Sequence, residues 1–374
     1  YGRVKRVYDD GIDRGGDLSP LGAEQHREIA ARMYRNFPEV FRSGAVVDAQ
    51  ATLVVRCVLS MAAFCERLKE LNPRLEVSRT AGRRTTRYLN FYSKPTNPTL
   101  SREYLDFIDK GGWQEEYERI GDRFVRPGRL MSELFADGEF VRTIDAQKLM
   151  KGLFYFAADM QNENTGDHTF DFNQYFQGEY AQDAKLFAWA LDAEDFYEKG
   201  PSYAGQSETY SIAQPLLDDF FDAIDERVNG GSTVATFRFA HAETMMPFAA
   251  LLGLPGSTQQ APASTTDVYT YDNNEWRGES VTPMATNVQW DVYAKQGEDP
   301  ATGSAYTPIV RMLYNENEIA FRSECTPIAD GSTWYKLTEL KSCLALIIRR
   351  SDRMPASSNR LTWSRPAIPR LAPI

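Results

Sequence analysis

The stretch from Thr233 to Gly253, TVATFRFAHAETMMPFAALLG, constrains the fold of this 374-residue chain more than any other. Up to Phe239 its side chains alternate with a period of two, which is typical of a β-strand. Beyond Thr244 the apolar side chains recur at helical spacing. Pro247 is expected in the first helical turn, where a missing N–H costs little, and Gly253 suits the residue that ends a helix. A strand that leads directly into a helix is predicted here.

Two polar residues, His241 and Glu243, fall at the junction between that strand and that helix. In α/β folds ligands bind at the carboxyl ends of strands, and a helix N-terminus favours an anion. A histidine and a carboxylate are also residue types that phosphate-ester chemistry uses. The stretch alone leaves open whether His241 is catalytic or structural.

Composition narrows the class of protein. The chain is 42% hydrophobic with a mean hydropathy of -0.47, which suits a globular chain with a sizeable core. Its formal net charge of -10 argues against nonspecific binding of nucleic acid or docking on an acidic membrane, but not against a small anionic substrate. No apolar run approaches the roughly 20 residues of a membrane span, and no signal peptide is recognisable.

Histidine and cysteine usage gives little sign of a metal site or a disulfide scaffold. Three histidines without CxxC or HExxH spacing predict neither a transition-metal site nor a cofactor. Cys57 and Cys65 lie eight residues apart in a predicted helix, which is too far to bridge. Cys325 and Cys343 could pair, although nothing in the sequence requires it.

Arg56 is out of place in its surroundings. It lies in the run Leu53-Val54-Val55-Arg56-Cys57-Val58 of a predicted helix from Thr52 to Leu71. A guanidinium near a core needs a partner, because it cannot lose its proton. That partner is either a buried carboxylate or a bound phosphate, whose oxygens match the planar fork of arginine.

A basic cluster, RTAGRRTTR, covers Arg79 to Arg87. It is either a solvated surface or the basic wall of an anion pocket. A segment rich in acidic and aromatic residues then runs to Asn229 and is predicted to be helical. The candidate helices are Ser101–Lys110, Met131–Phe135, Asp145–Gln161, Tyr180–Leu191 and Gln214–Val228.

The remaining predicted elements frame this segment. Ser19-Pro20 is a helix start, with Ser as the cap and Pro at the first position. Residues 45–49 read as a short strand, and residues 309–321 read as a β-hairpin that turns at Asn315-Glu316-Asn317. A short helix is predicted from Trp334 to Leu344. The residues that follow, rich in Arg, Pro and Ser, are predicted to be irregular.

Several stretches, in order, resemble one family. FRFAHAETMMPFAALLG (Phe237–Gly253) resembles the HAE motif of the multiple inositol polyphosphate phosphatases, in the histidine acid phosphatase superfamily. LSPLGAEQHREIAARM (Leu18–Met33) resembles the segment just after that family's N-terminal catalytic motif. VVRCVLSMAAF (Val54–Phe64) resembles its second arginine segment, and VTPMATNVQWDVY (Val281–Tyr293) resembles the stretch after the HAE helix.

The resemblance implies an α/β fold, with a mixed central sheet flanked by helices and an inserted helical cap. On this basis residues 1–80 and 230–344 are expected to form the core, residues 81–229 the cap, and residues 345–374 an irregular tail. It also implies hydrolysis of phosphate monoesters, such as the inositol phosphate phytate, through a phosphohistidine intermediate and without a metal. Relatives are secretory, so a periplasmic or secreted location is expected.

The positions of residues within the matched motifs indicate which of them form the site. The resemblance implies that His241 binds phosphate, that Glu243 donates the proton to the leaving oxygen, and that Arg56 clamps the phosphate. Arg83, Arg84 and Arg87 are candidate contacts for more distant phosphates of the substrate.

The chain departs from the family in one important respect. The family's nucleophile lies in an RHGxR motif near the N-terminus, and none of His26, His168 and His241 has that context. We expect that the chain given is an N-terminally incomplete fragment and is inactive alone. The alternative is a catalytically inactive protein that binds phosphate esters or a partner. A smaller departure is Gln50-Ala51, where a polar Arg-Ser pair is expected.

Overall fold

The computed structural model describes residues 16–91, 98–110, 112–116, 119, 127–160, 177–178, 181–264 and 266–351. Its first elements are α1 Pro20–Asn36, β1 Val46–Ala51, α2 Val55–Leu71, β2 Glu76–Ala81 and α3 Arg83–Leu89. Helices follow: α4 Pro98–Lys110, α5 Pro127–Leu134, α6 Gly138–Val141, α7 Ala146–Met160, α8 Ala181–Glu198, α9 Glu208–Ser211 and α10 Gln214–Val228. The last elements are β3 Thr233–Phe239, α11 Ala242–Leu252, α12 Gly278–Val281, β4 Val288–Tyr293, β5 Glu298–Asp299, β6 Ser304–Ala305, β7 Ile309–Tyr314, β8 Asn317–Ile319, β9 Trp334–Lys336 and α13 Leu337–Ser351.

A three-stranded parallel sheet in the order β2-β1-β3 lies at the centre of the α/β unit. Alternate residues of β1 point to opposite faces. Val47, Ala49 and Ala51 are buried in a core shared with α1 and α2. On the other face, Gln50 accepts a hydrogen bond from the hydroxyl of Tyr88 on α3. Helices therefore pack on both faces of the sheet, and the predicted mixed α/β fold is confirmed.

The three strands end at the same edge. In their register Ala51 of β1 pairs with Ala81 of β2 and with Phe239 of β3. The residues that follow each strand therefore meet at the carboxyl edge of the sheet. This edge receives Thr52 and α2 from β1, α3 from β2, and His241 and α11 from β3.

Within the described part of the chain, the segment between β2 and β3 is helical, as predicted. Gln214–Val228 has the predicted bounds, and α8 continues seven residues beyond the predicted end at Leu191, to Glu198. One small core joins α5, α7 and α8 through Leu130, Met150 and Phe187. A larger core combines residues of this segment with α11 and the second sheet. The domain limits at residues 80 and 230 therefore stay a prediction.

A second, antiparallel sheet is formed by β4, β7 and β8, and β9 also pairs with β7. Tyr314 pairs with Asn317, so the hairpin turn is Asn315-Glu316, with φ of 48° and 64°. Two central residues with positive φ define the type I′ turn that matches the twist of a hairpin. The predicted hairpin is confirmed.

The C-terminal prediction needs a correction. Trp334–Lys336 is a strand, and the helix begins only at Leu337. Two aromatic residues favour β-structure, and pairing with Ile309, Val310 and Arg311 of β7 decides the outcome. The helix continues to Ser351, into the segment predicted to be irregular, while residues 352–374 lie outside the described residues. Cys325 and Cys343 form a disulfide, which the sequence left open.

A half-buried carboxylate, that of Asp192, links α8 to the loop before α12 and to the first residue of α12. Asp192 accepts hydrogen bonds from the Tyr271 hydroxyl at 2.6 Å and from the Gly278 N–H at 3.2 Å. A side-chain carbon on Gly278 would come within 2.7 Å of Asp192 Oδ1, so any other residue here would push the carboxylate out of place. Burial raises the pKa of Asp192 to about 6.

We expect this carboxyl group to make stability fall as pH rises from about 4 to about 6. In that interval the folded protein holds a proton that the unfolded chain releases, so the folded state is favoured at the lower pH. The expected loss is about 2 kcal/mol, discounted for partial exposure. Urea unfolding across this range measures it. Asp192→Asn should flatten the slope, whereas Asn at the exposed Asp272 should not; equal slopes in both variants would contradict the assignment.

Candidate active site

The site is assembled at the carboxyl edge from two strand-to-helix junctions. The helix after β1 begins at Val55 rather than at Thr52, so Thr52 lies on the junction itself. Its N–H donates to the carbonyl of Phe239, at the end of β3. This bond holds the β1 junction against the β3 junction, and it brings Thr52 and Arg56 to His241.

His241 is buried, with 7% of its surface exposed, and is the residue that precedes α11. Its Nε2 lies 3.0 Å from Thr52 Oγ1, and its Nδ1 lies 3.3 Å from Arg56 Nη2. Because a guanidinium can only donate, Nδ1 accepts and Nε2–H donates to Thr52. Burial, followed by the charge of Arg56, lowers the pKa of His241, which favours the neutral ring.

Thr52 and Cys57 are contacts of His241 that the sequence reasoning missed. The Cys57 thiol donates to the Ala240 carbonyl at 2.9 Å and lies 3.7 Å from His241 Nδ1. Burial raises the pKa of this thiol, so it stays protonated and packs as a small apolar group. The available signal was position: Thr52 begins the predicted helix that follows the predicted strand 45–49, so it belongs to the same edge of the sheet as His241.

Arg56 keeps an exposed side chain although it contacts His241. A side-chain carbon placed on Gly16 would lie 3.7 Å from Arg56 Nη1. The first described residue of the chain therefore passes beside the guanidinium. The sequence left two possible partners for Arg56, a buried carboxylate or a bound phosphate. Among the described residues its contact is instead with His241, and the exposed side of the guanidinium is left open to an anion.

Glu243 lies in the first turn of α11 and is partly buried. Its charge raises the pKa of His241, opposing Arg56. Pro247 lies in the second turn of α11, not in the first as predicted, so it removes the N–H that would bond the Glu243 carbonyl. Gly253, with φ of 74°, ends the helix as predicted, and the Arg322 guanidinium donates to the last-turn carbonyls of Ala250 and Leu251.

The predicted basic wall is split between two elements. Arg79 lies on β2, whereas Arg83, Arg84 and Arg87 lie on α3 and are exposed. Two hydrogen bonds fix α3 at the carboxyl edge: Thr85 Oγ1 donates to the Ala51 carbonyl at 2.6 Å, and Thr244 Oγ1 donates to the Leu89 carbonyl at 2.7 Å. The three helical arginines therefore lie on an element that is fixed at this edge, and their contact with substrate stays a prediction.

The two unexpected residues at the end of β1 have structural roles. Gln50 donates to Asp48 Oδ2 at 2.5 Å and accepts from Tyr88, and Ala51 is fully buried.

Across the described part of the chain, no group of three His, Cys, Asp or Glu side chains could hold a metal ion. Arg56 and His241 are hydrogen-bond donors, Glu243 is a carboxyl group, and all three lie at the same edge of the sheet. This combination of side chains suits a phosphate ester.

Comparison with known proteins agrees with this class of site. The profile of the histidine phosphatase superfamily (branch 2) matches residues 8–315. The apo crystal structure of the Bifidobacterium longum multiple inositol polyphosphate phosphatase is 48% identical, with a TM-score of 0.75 over 88% of this chain and 80% of that one. Its complex with inositol hexasulfate gives 47% identity and a TM-score of 0.74, over 89% and 80% of the two chains.

A chicken (Gallus gallus) relative, multiple inositol polyphosphate phosphatase 1, is 23% identical over 349 residues, or 88% of this chain and 70% of that protein. The chain therefore belongs to the histidine phosphatase superfamily (branch 2) and, within it, to the multiple inositol polyphosphate phosphatases.

Proposed function

We propose that this chain carries most of the active site of a phosphatase that hydrolyses inositol polyphosphates such as phytate. The observation that carries the proposal is the contact of Arg56 with His241 at the carboxyl edge, with Glu243 in the first turn of the adjoining helix. Donors placed around phosphoryl oxygens stabilise the charge that spreads over them in the transition state.

In the proposed mechanism, a histidine of an RHGxR motif attacks phosphorus while Arg56 binds the phosphoryl oxygens. His241 donates its Nε2–H to one of these oxygens in exchange for Thr52. The phosphorus–oxygen bond to the inositol breaks, and Glu243 gives its proton to the leaving oxygen, which avoids expelling a strong base. Glu243 then takes a proton from water as that water attacks phosphorus. The phosphohistidine bond breaks, and inorganic phosphate is released.

The attacking histidine is proposed to come from a segment upstream of Tyr1. His26 packs edge-on against the Phe239 ring at 5.9 Å, and burial lowers its pKa, which suits a structural role. His168 lies outside the described residues.

The missing RHGxR motif also supports a second candidate, a phosphate-ester-binding protein without catalysis. The two candidates share Arg56 and His241 and differ only in turnover. They are separated by the activity of a protein in which the motif is supplied.

A periplasmic or secreted location is proposed as well. Disulfides persist in oxidising compartments and are rare in the cytosol, and Cys325–Cys343 is a disulfide. Among the described residues, no helix is both long and apolar enough to cross a bilayer.

Calorimetric titration with inositol hexakisphosphate tests the proposed site directly. We expect Arg56→Met to weaken binding about 10- to 100-fold, because a charge-assisted arginine–phosphate contact contributes about 1.5–3 kcal/mol. The matched control is Arg74→Met. Arg74 is exposed and lies just before β2, at the opposite edge of the sheet. Equal affinities for the two variants would contradict the site.

A further inference from the structure

Thr52 holds the ring nitrogen of His241 that is proposed to bind phosphate. The threonine is fully buried, at 0% exposure, and its Oγ1 lies 3.0 Å from Nε2 of the ring. Because Arg56 can only donate to Nδ1, the proton of the neutral ring is on Nε2 and points at this hydroxyl. In the empty site, one of the proposed phosphate donors is therefore occupied by a residue of the protein itself.

One short stretch of the chain, after β1, contacts the His241 ring at several points. Thr52 lies at Nε2, and Arg56 Nη2 lies 3.3 Å from Nδ1. The Sγ atom of Cys57 is 3.7 Å from Nδ1 and 3.8 Å from Nε2, so the sulfur is about equally far from both nitrogens. The Thr52 N–H donates to the Phe239 carbonyl, which fixes this stretch to the end of β3. These contacts hold the ring in one orientation, with its Nε2–H toward Thr52.

The Thr52 hydroxyl can release the ring without losing its other partners. The Val54 N–H donates to the same Oγ1 at 3.4 Å. Burial raises the pKa of the Cys57 thiol, and the Thr52 hydroxyl opposes that effect, so the hydroxyl also lies beside this sulfur. A hydroxyl both accepts and donates, so these contacts remain when Nε2–H moves to another acceptor. The backbone of Thr52 stays bonded to Phe239, and only side chains need to rotate.

A phosphoryl oxygen is a better acceptor than the Thr52 hydroxyl. Hydrogen bonds to a charged oxygen are about twice as strong as those between neutral groups. A phosphate that binds Arg56 is therefore able to take the Nε2–H, but the bond to Thr52 must break at the same time. The affinity gained is the difference between the two bonds. Phosphate is held less tightly than it would be by a donor without this competing acceptor, and the same holds for the phosphate that the proposed reaction releases.

We propose that Thr52 is a positioning residue that competes with phosphate for the Nε2–H of His241, and so limits how tightly the product phosphate is held. This inference rests on the proposed function, because it requires that phosphate bind at Arg56 and His241. It adds that the site is arranged for release of phosphate as well as for binding. No bond to phosphorus forms or breaks in the exchange; one hydrogen-bond donor changes its acceptor.

Calorimetric titration of the chain with inorganic phosphate tests the inference. Thr52→Val keeps the shape of the side chain without its hydroxyl, and we expect it to bind phosphate about 3- to 10-fold more tightly, because the competing hydrogen bond is gone. Thr52→Ser retains a hydroxyl and should bind as the native chain does. Thr209→Val is the matched control and should also leave the affinity unchanged. Thr209 is likewise 0% exposed, and its hydroxyl donates to the Gly200 carbonyl at 2.7 Å.

Nitrogen-15 NMR of the histidine-labelled chain follows the exchange in the native protein. The sequence contains three histidines, so comparison with His241→Gln identifies the signals of this ring. We expect the proton on Nε2 and none on Nδ1, both without and with phosphate. The signal of the Nε2–H proton should move when phosphate is added, because its acceptor changes. A proton on Nδ1 in either state would overturn the exchange.

The possible failures differ from one another. If phosphate binds neither the native chain nor Thr52→Ser, the phosphate site is wrong and both proposals fall. If phosphate binds and Arg56→Met weakens it, but Thr52→Val binds phosphate no more tightly than the native chain, the proposed function stands and the role of Thr52 is overturned. A gain in affinity that Thr209→Val shares also overturns it, because the loss of any buried hydroxyl would then have the same effect.

Discussion

Joining this chain to an RHGxR segment is expected to produce hydrolysis of inositol hexakisphosphate, whereas the chain alone should release essentially no phosphate. In the joined protein, Glu243→Gln should lower kcat about 10²–10⁴-fold, the usual contribution of a positioned general acid. Glutamine keeps the shape of the side chain, but its amide is far too weak an acid to protonate the leaving oxygen. Phosphate release at pH 4 to 7 measures both effects.

The segment can be supplied as a designed sequence that contains RHGxR, joined ahead of Tyr1. Glu279→Gln is the matched control, because Glu279 also lies in the first turn of a helix but is exposed on α12. Turnover by the chain without the added segment would overturn the upstream nucleophile. A joined protein that binds phosphate but stays inactive would favour the binding protein without catalysis.

The second large effect is expected from the disulfide. Cys325 and Cys343 are 18 residues apart in the sequence, and closing a loop of that size stabilises a folded chain by about 3 kcal/mol. Reduction, or replacement of both cysteines by serine, should therefore lower the free energy of unfolding by about that amount. The change is measured as a shift of the midpoint of urea unfolding to lower urea.

The double serine variant also serves as the control for the reductant. Treating it with dithiothreitol should have no further effect, because Cys57 and Cys65 are already free thiols. An unchanged midpoint of the native protein after reduction would show that the bond contributes nothing to stability.

The disulfide lies close to α11. The Cys325 N–H donates to the carbonyl of Arg322, and the Arg322 guanidinium donates to carbonyls at the end of that helix.

Local patterns sufficed for much of the fold. The strand and helix around His241, the helix Gln214–Val228 and the hairpin at Asn315 each have a periodicity or turn chemistry written in consecutive residues. Where tertiary pairing decides, local patterns failed. The strand β2 reads EVSRTA and is mostly exposed, so its sequence has little strand signal; it is a strand because it pairs with β1.

The site shows the same division. His241, Glu243 and Arg56 were predicted from their motifs, and the structure brings Arg56 against His241. Thr52 was missed because its contact with His241 joins residues 189 positions apart, and no local pattern reports such a pair. The start of α2 was predicted three residues early for a related reason. The apolar run from Leu53 to Val55 resembles a buried helix face, although Leu53 and Val55 are exposed.

Because β1 lies between β2 and β3, it limits where residues can be inserted into the chain. Both neighbouring strands take their register from β1, and the residues that touch His241 follow directly from its end. Inserting one residue after Ala51 would displace Thr52 by about 3.3 Å and turn its side chain to the other side. Insertions near Gly44 or Pro73, at the opposite edge, leave those junctions in place. Length variation should therefore be tolerated at one end of the sheet and excluded at the other.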